Sequence, residues 1–199
     1  TSELKQIELI EKDGKYELAA KEYLRYSDTY GKEDASLHQK ALYNAGVNYG
    51  LAGMYTDALV TNERFYREFP KSAQASEVML TIARTYELFA DNLKAAQWYN
   101  AFHKLNPKHQ QSSAALRLAG LHFWAAGQNP LAERLLKQSI EEHPKTAELV
   151  KTDLLDLYES APNRLFKLNQ FYQAQLQDPR LTKASELYYK LRVAEIAAE

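Results

Sequence analysis

The stretch Leu42–Ser72, LYNAGVNYGLAGMYTDALVTNERFYREFPKS, decides the fold. Before Gly53, apolar residues Leu42, Ala45, Gly46 and Tyr49 recur at three- and four-residue steps. After it, Ala58, Phe65 and Phe69 do the same. That period belongs to amphipathic helices rather than strands. Gly53 suits a tight turn between them, and Pro70 ends the second helix because the residue before a proline avoids the α region. The phrase then repeats. Gly53, Ala90 and Gly127 are 37 residues apart, as are Ala58, Ala95 and Ala132, and Pro70, Pro107 and Pro144. Three independent markers at one spacing define internal repetition, which at this period predicts a solenoid.

The second full unit offers Met79, Ile82, Ala83 and Tyr86, then Ala95, Tyr99 and Phe102. The third offers Leu116, Ala119, Gly120 and Phe123, then Ala132, Leu136 and Ile140. Gly46, Ala83 and Gly120 share one position in the first helix of each unit, and Ala58, Ala95 and Ala132 share one in the second. Small side chains there let the helix axes approach, while Tyr49, Tyr86 and Phe123 fill the space one turn on. These nine positions are the expected packing set. Such a unit cannot bury its apolar face alone, so stacked neighbours supply the missing contacts. The expected caps are Thr56 or Asp57, Asp91 or Asn92, and Asn129 before Pro130, with Ser72, Ser112 or Ser113, and Thr146 opening the first helices.

The flanks are degenerate versions of the phrase. Gly14-Lys15-Tyr16-Glu17-Leu18-Ala19-Ala20 echoes Gly53–Ala58 after a helix expected over Glu3–Lys12. Leu154, Leu155 and Tyr158 match a first helix, and Pro162 is expected to open a helix holding Leu165, Leu168, Phe171 and Tyr172. A last helix over 183–199 carries Leu187, Leu191, Ala194 and Ala198 on one face and reads as a cap. The approximate units are 1–33, 34–71, 72–108, 109–145 and 146–180. The expectation is a single all-α domain: a right-handed superhelical solenoid of about five helix pairs plus a C-terminal capping helix.

These units resemble tetratricopeptide repeats. The family pattern of large, Leu-Gly/Ala, Tyr, small turn residue, Ala, aromatic and Pro is matched by Leu42, Ala45, Gly46, Tyr49, Gly53, Ala58, Phe65 and Pro70. Asn62 and Phe65 depart from the family's large-then-small pair on the second helix, and the period is 37 rather than the family's 34. Extended units with the junction Phe69-Pro70-Lys71-Ser72 resemble a bacterial cell-envelope subgroup, which includes outer-membrane assembly lipoproteins and Tol–Pal-associated periplasmic proteins. The resemblance implies a non-catalytic scaffold that binds a peptide segment or helix of a partner protein. It also implies a periplasmic or outer-membrane-associated location, with the cytoplasm as the alternative. Members that bind chaperone tails resemble one another in a Lys/Asn clamp. Val47, Arg84 and Leu121 stand where its Asn would be expected, so that partner class is not implied.

Composition narrows the function further. The 199 residues carry 25 Lys plus Arg against 26 Asp plus Glu, a balance without a basic footprint for nucleic acid. Cysteine is absent, which removes disulfides, thiolate metal sites and a cysteine nucleophile. No apolar run approaches the roughly 18 residues of a membrane span. Thr1-Ser2-Glu3 is polar and shows no signal peptide, and the helical pattern still running from Leu187 to Glu199 reads as a mature form or an excised domain. The five histidines, His38, His103, His109, His122 and His143, contain no i, i+4 pair that would set two imidazoles on one helix face for zinc. Gly50-Leu51-Ala52-Gly53 lacks the Lys-Ser/Thr of a phosphate loop, and no nucleophile stands with a base. The expectation is no enzyme, no metal and no cofactor.

In stacked helical pairs the first helix of each unit lines the concave face. Its inward stripe, offset by about one residue per turn from the core stripe, gives Tyr43, Val47, Leu80, Arg84, Arg117, Leu121 and Trp124 as the candidate groove. Tyr, Trp and Arg are enriched at interface hot spots. The alternatives are a self-assembling module that forms a homo-oligomer through the final helix or an open solenoid end, and an accessory domain of a larger protein.

Overall fold

A computed structural model of the chain describes residues 2–199. Among them are eleven α-helices and no strand. Five successive pairs are α1 (Ser2–Lys12) with α2 (Tyr16–Tyr30), α3 (Ala35–Leu51) with α4 (Tyr55–Glu68), α5 (Ala75–Leu88) with α6 (Asn92–Leu105), α7 (Ser112–Ala125) with α8 (Asn129–Glu142), and α9 (Ala147–Glu159) with α10 (Arg164–Gln175). The last helix, α11 (Lys183–Ala198), follows a final loop. Each helix packs chiefly on its neighbours in sequence, with an added contact between α7 and α9. The molecule is a helical-repeat solenoid.

One turn is used four times. Gly14, Gly53 and Gly127 sit at φ +74°, and Ala90 takes the same role at φ +56°. In each turn the next residue's N–H reaches the carbonyl five residues back: Lys15 to Ile10, Met54 to Tyr49, Asp91 to Tyr86, and Gln128 to Phe123. This is a Schellman closure, which satisfies the orphan carbonyls at the end of the first helix. Ala90 bears the steric cost of the left-handed region that glycine avoids, on the order of 1–2 kcal/mol.

The second helices end alike. Phe69, Asn106 and His143 precede the prolines and are held at φ near −130° with ψ of 55°, 53° and 70°, outside the helical region. The caps differ from expectation in several places. α8 begins at Asn129 with Gln128 in the cap position, and α4 begins just after Met54, so Thr56 and Asp57 lie inside its first turn. Gln74 and Gln111 precede α5 and α7. The Schellman turn passes straight into the following helix and sets where α4 and α8 start, whatever side chain follows. Asp91 does cap α6, accepting from Lys94 N at 3.1 Å.

The nine packing positions, Gly46, Tyr49, Ala58, Ala83, Tyr86, Ala95, Gly120, Phe123 and Ala132, are all buried. A Cβ built on Gly120 would meet Leu136 Cγ and Cδ2 at 2.9 Å, closer than real Cβ contacts allow. On Gly46 it would collide with the Asn62 amide. Buried tyrosines are satisfied by carboxylates: Tyr23 Oη donates to Glu11 at 2.9 Å and Tyr99 Oη to Glu87 at 2.7 Å. Between units, Tyr158 Oη donates to Glu133 at 3.0 Å.

Glu133 also accepts from Lys137 at 2.7 Å and Lys167 at 2.8 Å, tying α8 to α10. Burial works against its charge, but these donors outweigh it and hold the carboxyl down at about 2.

The final helix corrects one expectation. Leu187 and Leu191 are 71% and 55% exposed, and Ala194 and Ala198 are exposed as well. The face that packs is Tyr189, Val193 and Ile196. Both stripes have helical spacing, and the bulkier aromatic and β-branched set takes the interface. Arg192 lies over the Tyr172 ring.

Two outcomes follow from this packing. Gly120→Leu should destabilise the protein by about 1–3 kcal/mol in urea unfolding, although helix propensity alone favours leucine by under about 1 kcal/mol. Glu133 has a folded pKa below its unfolded value, so its contribution is complete above about pH 4.5 and fades as pH falls toward 2. After discounting for its partial exposure, Glu133→Gln should cost about 1–2 kcal/mol at pH 7, and the difference from wild type should close by pH 2–3.

A candidate binding cleft between the second and third helix pairs

The cleft is a local failure of the repeat to fill itself. In register, Gly50, Glu87 and Trp124 are equivalent, as are Asn62, Tyr99 and Leu136. The second pair has the small member at both positions. Where Trp124 packs against the core, Gly50 leaves open space: a Cβ built on it meets nothing within 4 Å. Asn62 is drawn close over Gly46 and does not reach as Tyr99 does in the next pair.

The result is a cavity of about 390 Å³ between α3 and α5, floored by α4. Its walls include Val47, Leu51, Tyr55 and Leu88, all substantially exposed and apolar. Its polar members include Asn62, Glu77 and Arg84. Burial, then the adjacent Glu77 carboxylate, pushes the Tyr43 phenol above its ordinary range. Tyr43 also packs its ring at a tilt against Phe65, 5.7 Å between centroids, so it is half structural. Arg84 is exposed and forms no ion pair among the described residues. Concave, mainly apolar space with a few fixed polar groups is the usual form of a recognition site.

The seven groove residues separate into distinct roles. Tyr43, Val47 and Arg84 meet in this cleft. Leu80 does not: it is only 4% exposed and belongs to the core, because the inward turn of α5 is covered by its neighbours. Arg117 is held by Asp153 in a two-bond clasp, Nε to Oδ2 at 2.5 Å and Nη2 to Oδ1 at 2.9 Å, and so links α7 to α9. Leu121 and Trp124 lie further along α7, half-buried. Leu51, Tyr55, Asn62 and Leu88 escaped the stripe. Tyr55 and Asn62 sit on the second helix, and Leu51 and Leu88 near helix ends, where a pattern built on first helices does not look. Aligning the units at Gly50 and Asn62 would have pointed to them.

Spacing along one helix does not register histidines that meet across units. His103, Glu142 and His143 come together at the ends of α6 and α8, with their ligand atoms within 4.8 Å of one another.

No protein-family model matches the sequence, and no curated protein matches it. Among solved structures, the chain is similar to a putative kinesin light chain with nearly identical TPR-like repeats from Podosopora anserina. The TM-score is 0.51 at 17% identity, covering 99% of this chain and 94% of that one. A single-substitution form of that protein gives 0.52 at the same identity, with 99% and 93% coverage. At this identity the likeness establishes the fold: an all-helical, TPR-like repeat solenoid. No helix among the described residues is long and apolar enough to cross a membrane.

Proposed function

We propose that the chain is a non-catalytic interaction scaffold that takes a short peptide segment or helix of a partner protein in the cleft between α3 and α5. The carrying observation is the pairing of an open apolar cavity with Arg84, an exposed cation without a carboxylate partner. The complementary ligand presents an aliphatic or aromatic side chain to Val47, Leu51, Tyr55 and Leu88, and an acidic residue to Arg84. Burying each large apolar side chain contributes about 1.5–3 kcal/mol before ordering costs, enough for transient capture. Membership of a bacterial envelope assembly, in the periplasm or at the outer membrane, is part of the proposal. It is supported by the 37-residue period and the Phe69-Pro70-Lys71-Ser72 junction.

Peptide display against the whole chain, followed by fluorescence anisotropy, tests the cleft. Selected peptides should carry the apolar-plus-acidic pattern. Arg84→Glu should weaken them at least tenfold, and a Lys in place of the peptide acid should recover binding to that variant. Peptides that bind wild type, Arg84→Glu and Val47→Asp equally would refute the cleft as the site.

A second reading, self-association through α11, is favoured by its outward stripe. Ala184, Leu187, Leu191, Ala194 and Ala198 follow the a/d spacing of a coiled-coil seam. In a parallel pairing, Lys190 of one copy would face Glu195 of the other, five residues on. Sedimentation should show a concentration-dependent dimer that Leu187→Glu plus Leu191→Glu abolishes. A monomer at all concentrations removes this reading.

A further inference from the structure

The junctions between units repeat a three-residue arrangement with its parts exchanged. At the first junction, Ser27 on α2, His38 on α3 and Glu68 at the end of α4 form a chain. Ser27 Oγ is 2.8 Å from His38 Nδ1, and His38 Nε2 is 2.7 Å from Glu68. Two units on, the equivalent positions hold His103 on α6, Ser112 on α7 and Glu142 at the end of α8. His103 Nδ1 is 2.8 Å from Ser112 Oγ, and its Nε2 is 3.2 Å from Glu142 Oε2. Serine and histidine have traded places.

The junctions differ at one further position. The residue before the proline is Phe69 in the first and His143 in the second. Phe69 only packs its ring on His38, with centroids 5.2 Å apart. His143 brings an imidazole to within 5.9 Å of the His103 ring, and its Nε2 is buried with no hydrogen-bond partner among the described residues. A buried polar atom left unpaired is costly unless something satisfies it.

We propose that His103, Glu142 and His143 form a Zn²⁺ site. Two imidazole nitrogens and one carboxylate are a donor set that zinc accepts, with the fourth position left to water. With Nδ1 protonated, His103 would donate to the Ser112 hydroxyl 2.8 Å away and offer Nε2 to the ion, the usual outer support of a metal-bound histidine. His143 is seated by its backbone: its carbonyl accepts from Thr146 N at 3.0 Å and Thr146 Oγ1 at 3.2 Å. All three residues lie at the C-terminal ends of α6 and α8, where both helix dipoles favour a cation. Ligand atoms in a tetrahedral site stand about 3.4 Å apart. The His103–Glu142 pair already meets that spacing, and all three ligand atoms lie within 4.8 Å of one another. A bound ion would clip the second helices of two successive units.

Titration of tag-free protein with zinc chloride, followed by calorimetry, tests the site, with Co²⁺ as a spectroscopic reporter. One equivalent of Zn²⁺ should bind and raise the Tm, and Co²⁺ should give the intense visible bands of four-coordination. His143→Ala and Glu142→Gln change the surface end of α8, and each should weaken binding at least tenfold while circular dichroism stays unchanged. His38→Ala, at the equivalent junction without the second imidazole, should bind as wild type does. Absence of saturable Zn²⁺ binding, or undiminished binding by His143→Ala, would overturn the proposal. So would loss of binding in His38→Ala.

Discussion

Everything in this solenoid depends on how closely the two helices of a pair approach at a single crossing. Gly46, Ala83 and Gly120 stand on one side of it; Asn62, Tyr99 and Leu136 stand on the other. With almost no side chain on the first helix, the second can press its larger group into the gap. That contact sets the interaxial distance, which lets the four-times-repeated turn close with only three residues. The turn and the proline stop then deliver each pair to the next in nearly the same pose. Dense packing of this kind tolerates little change in volume, so the crossing behaves as a constraint on geometry more than as a source of energy.

Because the frame is so regular, the two proposed sites stand out as deviations from it. A glycine where neighbours have Glu87 and Trp124 hollows out a cleft. A histidine where a neighbour has Phe69 places a second imidazole beside the first. Neither residue is unusual in itself. Each matters because the frame presents it at a position whose equivalents are filled differently, and the comparison between units within one chain makes the difference visible.

The fold was largely legible in the sequence because its markers are backbone demands: left-handed turns at Gly53 and Gly127, stops at the prolines, small residues at the crossing. Ala90 was legible only through its register, since nothing in alanine announces a positive φ. The site was less legible. A stripe drawn on an isolated helix cannot know that neighbours cover Leu80, or that Asp153 from the following unit occupies Arg117. Nor can helix-local spacing find His103 with His143, which come from two different helices and meet only when the units stack. The face of α11 was ambiguous for a related reason: two apolar stripes compete, and only the partner surface on α10 decides between them.

That last helix carries a thermodynamic asymmetry. Among the described residues α11 packs chiefly on α10 and has no fully buried residue. Among the described residues, its release breaks chiefly the interface with α10. Amide protons along 183–198 should therefore exchange through a local opening at less than the global unfolding cost. Each opening would uncover the Tyr172 ring, which packs on Tyr188 and Tyr189, and so make the cover over α10 a reversible equilibrium rather than a fixed wall.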